Sequence, residues 1–146
     1  MNNEFAVHDS TGFHAYRPNG EVAADRWVTV RHLFDEDHVE TPAEKWERAQ
    51  LVFESGDYIR AAELLADVAG EVPFQTDLRL LLARAYYHSA QLGRAETQLR
   101  EIVDRDPVEH YAHLLLGRTL ERQGRAGEAA PWLRLAAAFG GELADV

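Results

Sequence analysis

The histidines are the side chains of this sequence best suited to acid–base or metal chemistry near neutral pH, and there are seven of them. His110 and His113 stand one helical turn apart at the start of a predicted helix. No carboxylate stands at a ligand-like spacing with both, and a zinc ion needs three or four fixed ligands. The chain also lacks cysteine, which excludes thiolate ligands and a cysteine nucleophile. We therefore expect neither a metal site nor a bound cofactor.

The motifs that mark common catalytic sites are also missing. There is no glycine-rich phosphate loop and no G-x-S-x-G segment. No pair of carboxylates lies in an apolar stretch, where burial would drive the two pKa values apart and let one group act as acid and the other as base. The residues thus predict a protein that is not an enzyme and whose elements serve binding or assembly.

The charge of the chain limits its partners. Fifteen basic and twenty-five acidic residues give a net charge of −10, which repels phosphate backbones and anionic lipids, so we expect neither nucleic acid nor membrane as a partner. The start of the chain lacks a basic segment followed by an apolar run, and no stretch approaches the roughly 20 apolar residues of a membrane span. These features predict a cytoplasmic protein. Only Lys45 is a lysine, and this preference for arginine suggests a high-GC bacterial genome.

From Pro42 to about Gly141 the sequence repeats itself with a period of 34 residues. This period is typical of solenoids built from helix pairs, in which about three repeats are needed for stability. Six helices are predicted, at 42–55, 58–70, 75–89, 92–105, 109–123 and 126–139. The aligned columns are Ala49/Ala83/Gly117, Ala61/Ala95/Ala129, Leu65/Leu99/Leu133, Val68/Ile102/Ala136 and Pro73/Pro107/Gly141.

The segment from His110 to Gly141 resembles the tetratricopeptide repeat most closely, in its order of aromatic, Leu-Gly, alanine and large apolar positions. The resemblance implies an all-α solenoid of three helix-turn-helix repeats over residues 42–146. Residues 1–41 have no helical period, and we expect an irregular or extended N-terminal arm there, with a strand favoured at 26–34. The arm could be a mobile leader, lie along the repeats or add to the edge of a partner's sheet.

The resemblance also implies that one face of the first helix of each repeat lines a concave groove. Arg84 and Arg118 occupy one column of that face, one repeat apart, and His88 and Arg122 occupy another column one turn further on. Basic groups flanked by aromatic rings indicate a receptor for an acidic peptide segment or a chain-terminal carboxylate of another protein. The alternative is that these arginines pair with neighbours such as Glu121 and stay solvated. The expected groove residues are Trp46, Gln50, Phe53, Leu80, Arg84, Tyr87, His88, Tyr111, Leu114, Arg118 and Arg122.

The last predicted helix is apolar over much of its circumference, and only residues 141–146 follow it. Large exposed apolar patches commonly mark interfaces, so we expect this helix to dock against a second copy, a partner or the N-terminal arm. The second functional hypothesis is therefore a structural subunit that forms a homodimer through this helix, with the groove incidental. The expected interface residues are Trp132, Leu133, Ala136 and Phe139.

Overall fold

The structure is a computed structural model, and it describes residues 38–140. The chain divides into two units, Met1–Val39 and Glu40–Val146, and the fold described below is that of the second unit. Apart from residues 38–41, the predicted N-terminal arm lies outside the described residues, as does its predicted strand at 26–34. The predicted domain boundary at residue 42 stays a prediction.

The described part of the second unit contains six α-helices: α1 Pro42–Glu54, α2 Tyr58–Glu71, α3 Thr76–His88, α4 Leu92–Arg105, α5 His110–Arg122 and α6 Ala126–Gly140. Every helix end lies within one residue of its predicted position, and residues 38–140 contain no strand, so the all-α prediction is confirmed. Each helix packs against the next one along the chain, and α3 also contacts α5. This arrangement is that of a helical solenoid.

The start of α1 shows why the repeats begin at Pro42. The backbone N–H of Glu44 donates to Thr41 Oγ1 at 3.3 Å, and the backbone N–H of Thr41 donates to Glu44 Oε2 at 2.8 Å. This reciprocal capping box satisfies two donors that the first turn of a helix leaves without partners. Pro42 occupies the first helical position, where the missing N–H costs nothing.

The turn inside each repeat has the same backbone form. Gly56, Ala90 and Gly124, spaced by 34 residues, have φ angles of 88°, 58° and 77°. Glycine adopts this left-handed conformation without steric strain, whereas a residue with a Cβ atom does not. The second repeat therefore makes the same turn with an alanine, at a cost in backbone strain.

Small residues let the two helices of a repeat approach each other closely. Ala49, Ala61, Ala83 and Ala95 are fully buried. A Cβ atom built on Gly117 would lie 2.5 Å from Leu133 Cδ2, so α5 and α6 leave no room for a side chain there. Larger apolar side chains fill the space between neighbouring helices, and the buried ones include Leu65, Leu82, Leu99, Ile102, Leu115, Leu116 and Leu120.

Candidate peptide-binding site

Arg84, on α3, lies between aromatic rings supplied by the two neighbouring first helices. Its guanidinium carbon sits 4.9 Å from the ring centroid of Phe53 on α1 and 5.8 Å from that of Tyr111 on α5. Cations are attracted to the faces of aromatic rings at such distances. Arg84 forms no ion pair with any residue from 38 to 140, and its buried Nε has no hydrogen-bond partner. The side chain is thus held in place by rings while its charge is left without a carboxylate.

His88 ends α3, one turn after Arg84, and is surrounded by three rings. It stacks on Tyr58 with ring centroids 4.7 Å apart, and the rings of Tyr87 and Phe53 meet it edge-on at 5.4 and 6.1 Å. Burial, followed by the nearby charges of Arg84 and Arg122, lowers the pKa of His88 below its ordinary value of 6.5. His88 is therefore mostly neutral at pH 7.

Arg122 ties the end of α5 to the end of α3. Its Nη1 donates to the backbone carbonyl of Tyr87 at 2.7 Å, and its guanidinium carbon lies 4.5 Å from the centroid of the Tyr87 ring. The side chain is exposed and has no carboxylate partner in the described part of the chain. We refer below to the groove cluster, which consists of Phe53, Tyr58, Arg84, Tyr87, His88, Tyr111 and Arg122.

Arg118 was expected beside Arg84, but it is engaged differently. Its Nη1 lies 2.9 Å from Glu121 Oε2, one turn further along α5. This is the alternative that the sequence left open, in which a groove arginine pairs with a neighbouring acid. The charge of Arg118 is therefore largely compensated within the chain, while that of Arg84 is not.

The other expected groove residues do not join the cluster. Trp46 lies towards the opposite end of α1 and, with Val68, Val72 and Leu78, lines a separate cavity of about 470 Å³. Leu114 is only 5% exposed and offers little surface to a ligand. Leu80 packs partly buried against the core, and Gln50 is half-buried on α1.

Tyr58 is the member of the cluster that the sequence analysis did not include, because only first helices were assigned to the groove. It opens α2, directly after the turn at Gly56, and its ring packs edge-on against Phe53 at 5.1 Å. An aromatic residue on each side of a tight turn is the signal that could have found it. Short turns bring such flanking side chains together.

The expected interface residues on α6 divide into two groups. Leu133 is partly buried and packs against Gly117, and Ala136 is 5% exposed, so neither offers much surface to a partner. Trp132 and Phe139 each stack on the buried ring of His113 with centroids 5.8 Å apart. Phe139 is nevertheless 53% exposed. Leu135, which is not among the expected interface residues, is 41% exposed. These side chains border an open cavity of about 460 Å³, lined by Arg100, Val103, Asp104, Pro107, His113, Trp132, Leu135 and Phe139.

Two further observations concern the described residues as a group. No set of three or more histidine, aspartate or glutamate side chains between residues 38 and 140 is arranged to hold a metal ion. No helix in that range is both long and apolar enough to cross a lipid bilayer.

Stacked helix pairs in a 34-residue register define a helical-repeat protein, in which each repeat packs on its neighbours and successive first helices form a shared surface. A family model of the tetratricopeptide repeat matches residues 52–118. The match shows that residues 52–118 are similar to the tetratricopeptide repeat, in line with the fold and the aligned columns. No curated protein sequence matches the chain significantly.

Several solved structures share the fold. A point mutant of MamA is 21% identical, with 82% of this chain and 88% of that chain covered and a TM-score of 0.66. The structure MamA AMB-1 is 22% identical, with coverages of 88% and 70% and a TM-score of 0.67. A chain of the CopN–Scc3 complex is 14% identical, with coverages of 69% and 59% and a TM-score of 0.64. At these identities the likeness concerns the fold.

Proposed function

We propose that this protein is a non-enzymatic interaction adaptor whose groove cluster binds an acidic segment or a chain-terminal carboxylate of another protein. The observation that carries the proposal is the group formed by Arg84, His88 and Arg122. All three are basic, and none has a carboxylate partner among residues 38–140, although the protein carries a net charge of −10. An acidic ligand would supply the missing counter-charge.

The rings of the cluster prepare Arg84 for this role. Because Phe53 and Tyr111 already fix the side chain, less conformational entropy is lost when a ligand binds. The planar guanidinium matches a carboxylate through two parallel N–H···O bonds, which are stronger than neutral hydrogen bonds. The same rings offer apolar surface to the aliphatic parts of a peptide.

The similarity to the tetratricopeptide repeat supports a binding role in general. Solenoids of helix pairs present extended concave surfaces that other proteins bind. The CopN–Scc3 structure, as its name states, is a complex. For the present chain a protein partner is therefore the natural ligand class, and the groove cluster is the surface best equipped to select an acidic one.

The proposal can be tested with a fluorescently labelled ten-residue peptide rich in glutamate, with a free C-terminal carboxylate. We expect the wild-type protein to bind it, and the double variant Arg84→Glu with Arg118→Glu to lose binding while keeping its helicity by circular dichroism. Arg60→Glu, an exposed change on α2, serves as the control with unaltered binding.

Two control peptides identify the chemistry that is recognised. Replacing every glutamate by glutamine removes the side-chain charges, and amidating the C-terminus removes the terminal charge. If binding depends on the glutamates, an acidic segment is the ligand, whereas dependence on the terminus alone indicates a chain-terminal carboxylate. A neutral, amidated peptide that binds as well as the acidic one would contradict the proposal.

The α6 surface supports a second candidate, self-association through this helix. Phe139 protrudes beside the cavity that it lines together with Leu135, so one patch supplies both a projecting ring and a recess. A two-fold axis requires such a self-complementary patch, because each copy presents the same surface to the other. We therefore take a second copy of this chain as the occupant.

Light scattering after size-exclusion chromatography tests this candidate. A dimer that becomes a folded monomer on replacing Leu135→Glu and Phe139→Glu would support it. Both side chains are exposed, whereas Trp132 is partly buried, so these changes should spare the fold better than replacement of Trp132. A wild-type protein that stays monomeric at high micromolar concentration would exclude self-association.

A further inference from the structure

His88 lies where four helices meet around the groove cluster. Its ring contacts Phe53 of α1, Tyr58 of α2 and Tyr87 of α3. The charged groups that act on it are Arg84 of α3 and Arg122 of α5, and both are cations. Tyr58 and Tyr87 are the other titratable side chains in contact with the ring. No hydrogen bond joins the imidazole to another residue in the 38–140 range.

We propose that the groove takes up a proton when it binds its acidic ligand, and that His88 is the group that accepts it. The inference rests on the proposed function, because an anion must enter the cluster for the coupling to exist. It assigns to His88 a part in recognition that is separate from the ion pairing of the two arginines: the histidine adjusts the charge of the site to that of the ligand.

The physical reason is the change in the surroundings of the imidazole. In the free protein, burial and two neighbouring cations oppose the imidazolium form and lower the pKa of His88. A carboxylate bound by Arg84 and Arg122 offsets their repulsion and adds an attraction of its own. The face of Tyr58, stacked at 4.7 Å, and the C-terminal end of α3 both favour a cation at this position. The pKa of His88 is therefore higher in the complex than in the free protein.

The sign of the pH dependence follows from linkage. Between the two pKa values the complex holds more protons than the free protein, so association strengthens as the pH falls through that window. Above both values His88 is neutral in either state, and below both it is charged in either state, so the affinity levels off at each end. The glutamate side chains of a peptide have an ordinary pKa of about 4.3 and stay mostly ionised at the pH values of the measurements below.

Calorimetry with the glutamate-rich peptide measures the proton directly. Titrations at pH 6.5 in two buffers of different ionisation enthalpy should show uptake of between about 0.3 and 1 proton per peptide bound. The affinity should be roughly threefold to tenfold higher at pH 5.5 than at pH 8. His88→Gln should remove both the uptake and the pH dependence. His110→Gln, an exposed change at the start of α5, should preserve both.

A nuclear magnetic resonance titration of the histidine ring protons provides a second measurement on the wild-type protein, which does not depend on the folding of a variant. The His88 resonance should titrate at a higher pH when the peptide is present. Binding without proton uptake would overturn this inference and leave the proposed function standing. Uptake that persists in His88→Gln would overturn the assignment to His88, and a peptide that fails to bind at any pH would overturn the function and the inference together.

Discussion

The second and third repeats carry an arginine in the same column, and the structure treats the two side chains differently. Arg84 lies between the rings of Phe53 and Tyr111 and has no carboxylate partner in the described range. Arg118, 34 residues later, pairs with Glu121 at 2.9 Å. The same residue type in the same structural position is thus an uncompensated cation in one repeat and half of an ion pair in the next.

A neighbouring column explains the difference. The column of the two arginines has Gln50 in the first repeat. The residues three positions further on are Phe53, Tyr87 and Glu121, so an acid replaces an aromatic ring in the third repeat. The ring of Tyr87 instead contacts the guanidinium group of Arg122, one turn beyond Arg118. Within the groove cluster, Arg84 and Arg122 are consequently the cations without a carboxylate partner in the described range, and the repeat pattern alone does not predict this difference between the repeats.

The largest effect that we expect is a loss of stability at the small-residue column where the first helix of a repeat packs against the second. The second repeat has Ala83 in this column and the third has Gly117. Gly117→Leu should destabilise the fold by about 2–3 kcal/mol, because its Cβ would already lie 2.5 Å from Leu133 Cδ2 and the core cannot expand to fit it. Thermal and denaturant unfolding measure the change.

Gly70→Leu is the matched control for Gly117→Leu. It makes the same replacement in a helix where no atom of a neighbouring helix lies within 4 Å of the new Cβ. It should be neutral or stabilising, since leucine favours a helix over glycine. Equal melting of the two variants would mean that α5 and α6 are packed less closely than the structure shows.

The second prediction addresses the two arginines themselves. Arg84→Gln should weaken binding of the glutamate-rich peptide about 10-fold to 100-fold, because a charged hydrogen-bonding group is lost from the cluster. Arg118→Gln should change the affinity less than about twofold, because Arg118 already forms an ion pair with Glu121. Fluorescence anisotropy gives both values. Comparable losses in the two variants would show that the ion pair opens on binding and that the repeats are equivalent.

The sequence was sufficient to predict the helices because their positions follow from the 34-residue columns and from local signals such as the capping box at Thr41 and Glu44. The site was harder to predict. Sequence register places residues on a face, but it does not say which of several competing contacts a long side chain makes. Arg118 could reach a groove ligand or Glu121, and the choice depends on rotamers and on local charge.

Two other features, the position of Tyr58 and the exposed part of α6, could not be predicted either, because both depend on how helices pack together. Tyr58 begins a second helix and stacks on His88 of the next first helix, a contact between repeats that the columns do not encode. On α6 the apolar residues outnumber those of an ordinary amphipathic helix, so periodicity could not separate partly buried Leu133 from exposed Leu135. Such ambiguity is typical of a helix that is apolar on most sides.

The third prediction concerns the turn inside each repeat, where the second repeat has Ala90 and the other two have Gly56 and Gly124. Ala90→Gly should stabilise the fold by about 1 kcal/mol, because the φ angle of 58° is strained for alanine and free of strain for glycine. Ala66→Gly, the same replacement at an exposed position inside α2, should destabilise by about 0.5–1 kcal/mol. Chemical denaturation should therefore give opposite signs, and a loss of stability in both variants would contradict the left-handed turn at Ala90.

The smallest expected effect comes from making the third repeat resemble the second. Glu121→Gln removes the carboxylate that holds Arg118, so the arginine becomes available to the peptide and the affinity should rise about twofold to threefold, in line with the modest strength of exposed ion pairs. Glu63→Gln on α2 changes the net charge equally at an exposed position and should leave the affinity nearly unchanged. The decisive measurement is a double-mutant cycle. Arg118→Gln should weaken binding in the Glu121→Gln background but not in the wild type. If Arg118 contributes equally in both backgrounds, Glu121 does not withhold it from the ligand, and the contrast between the two repeats has a different origin.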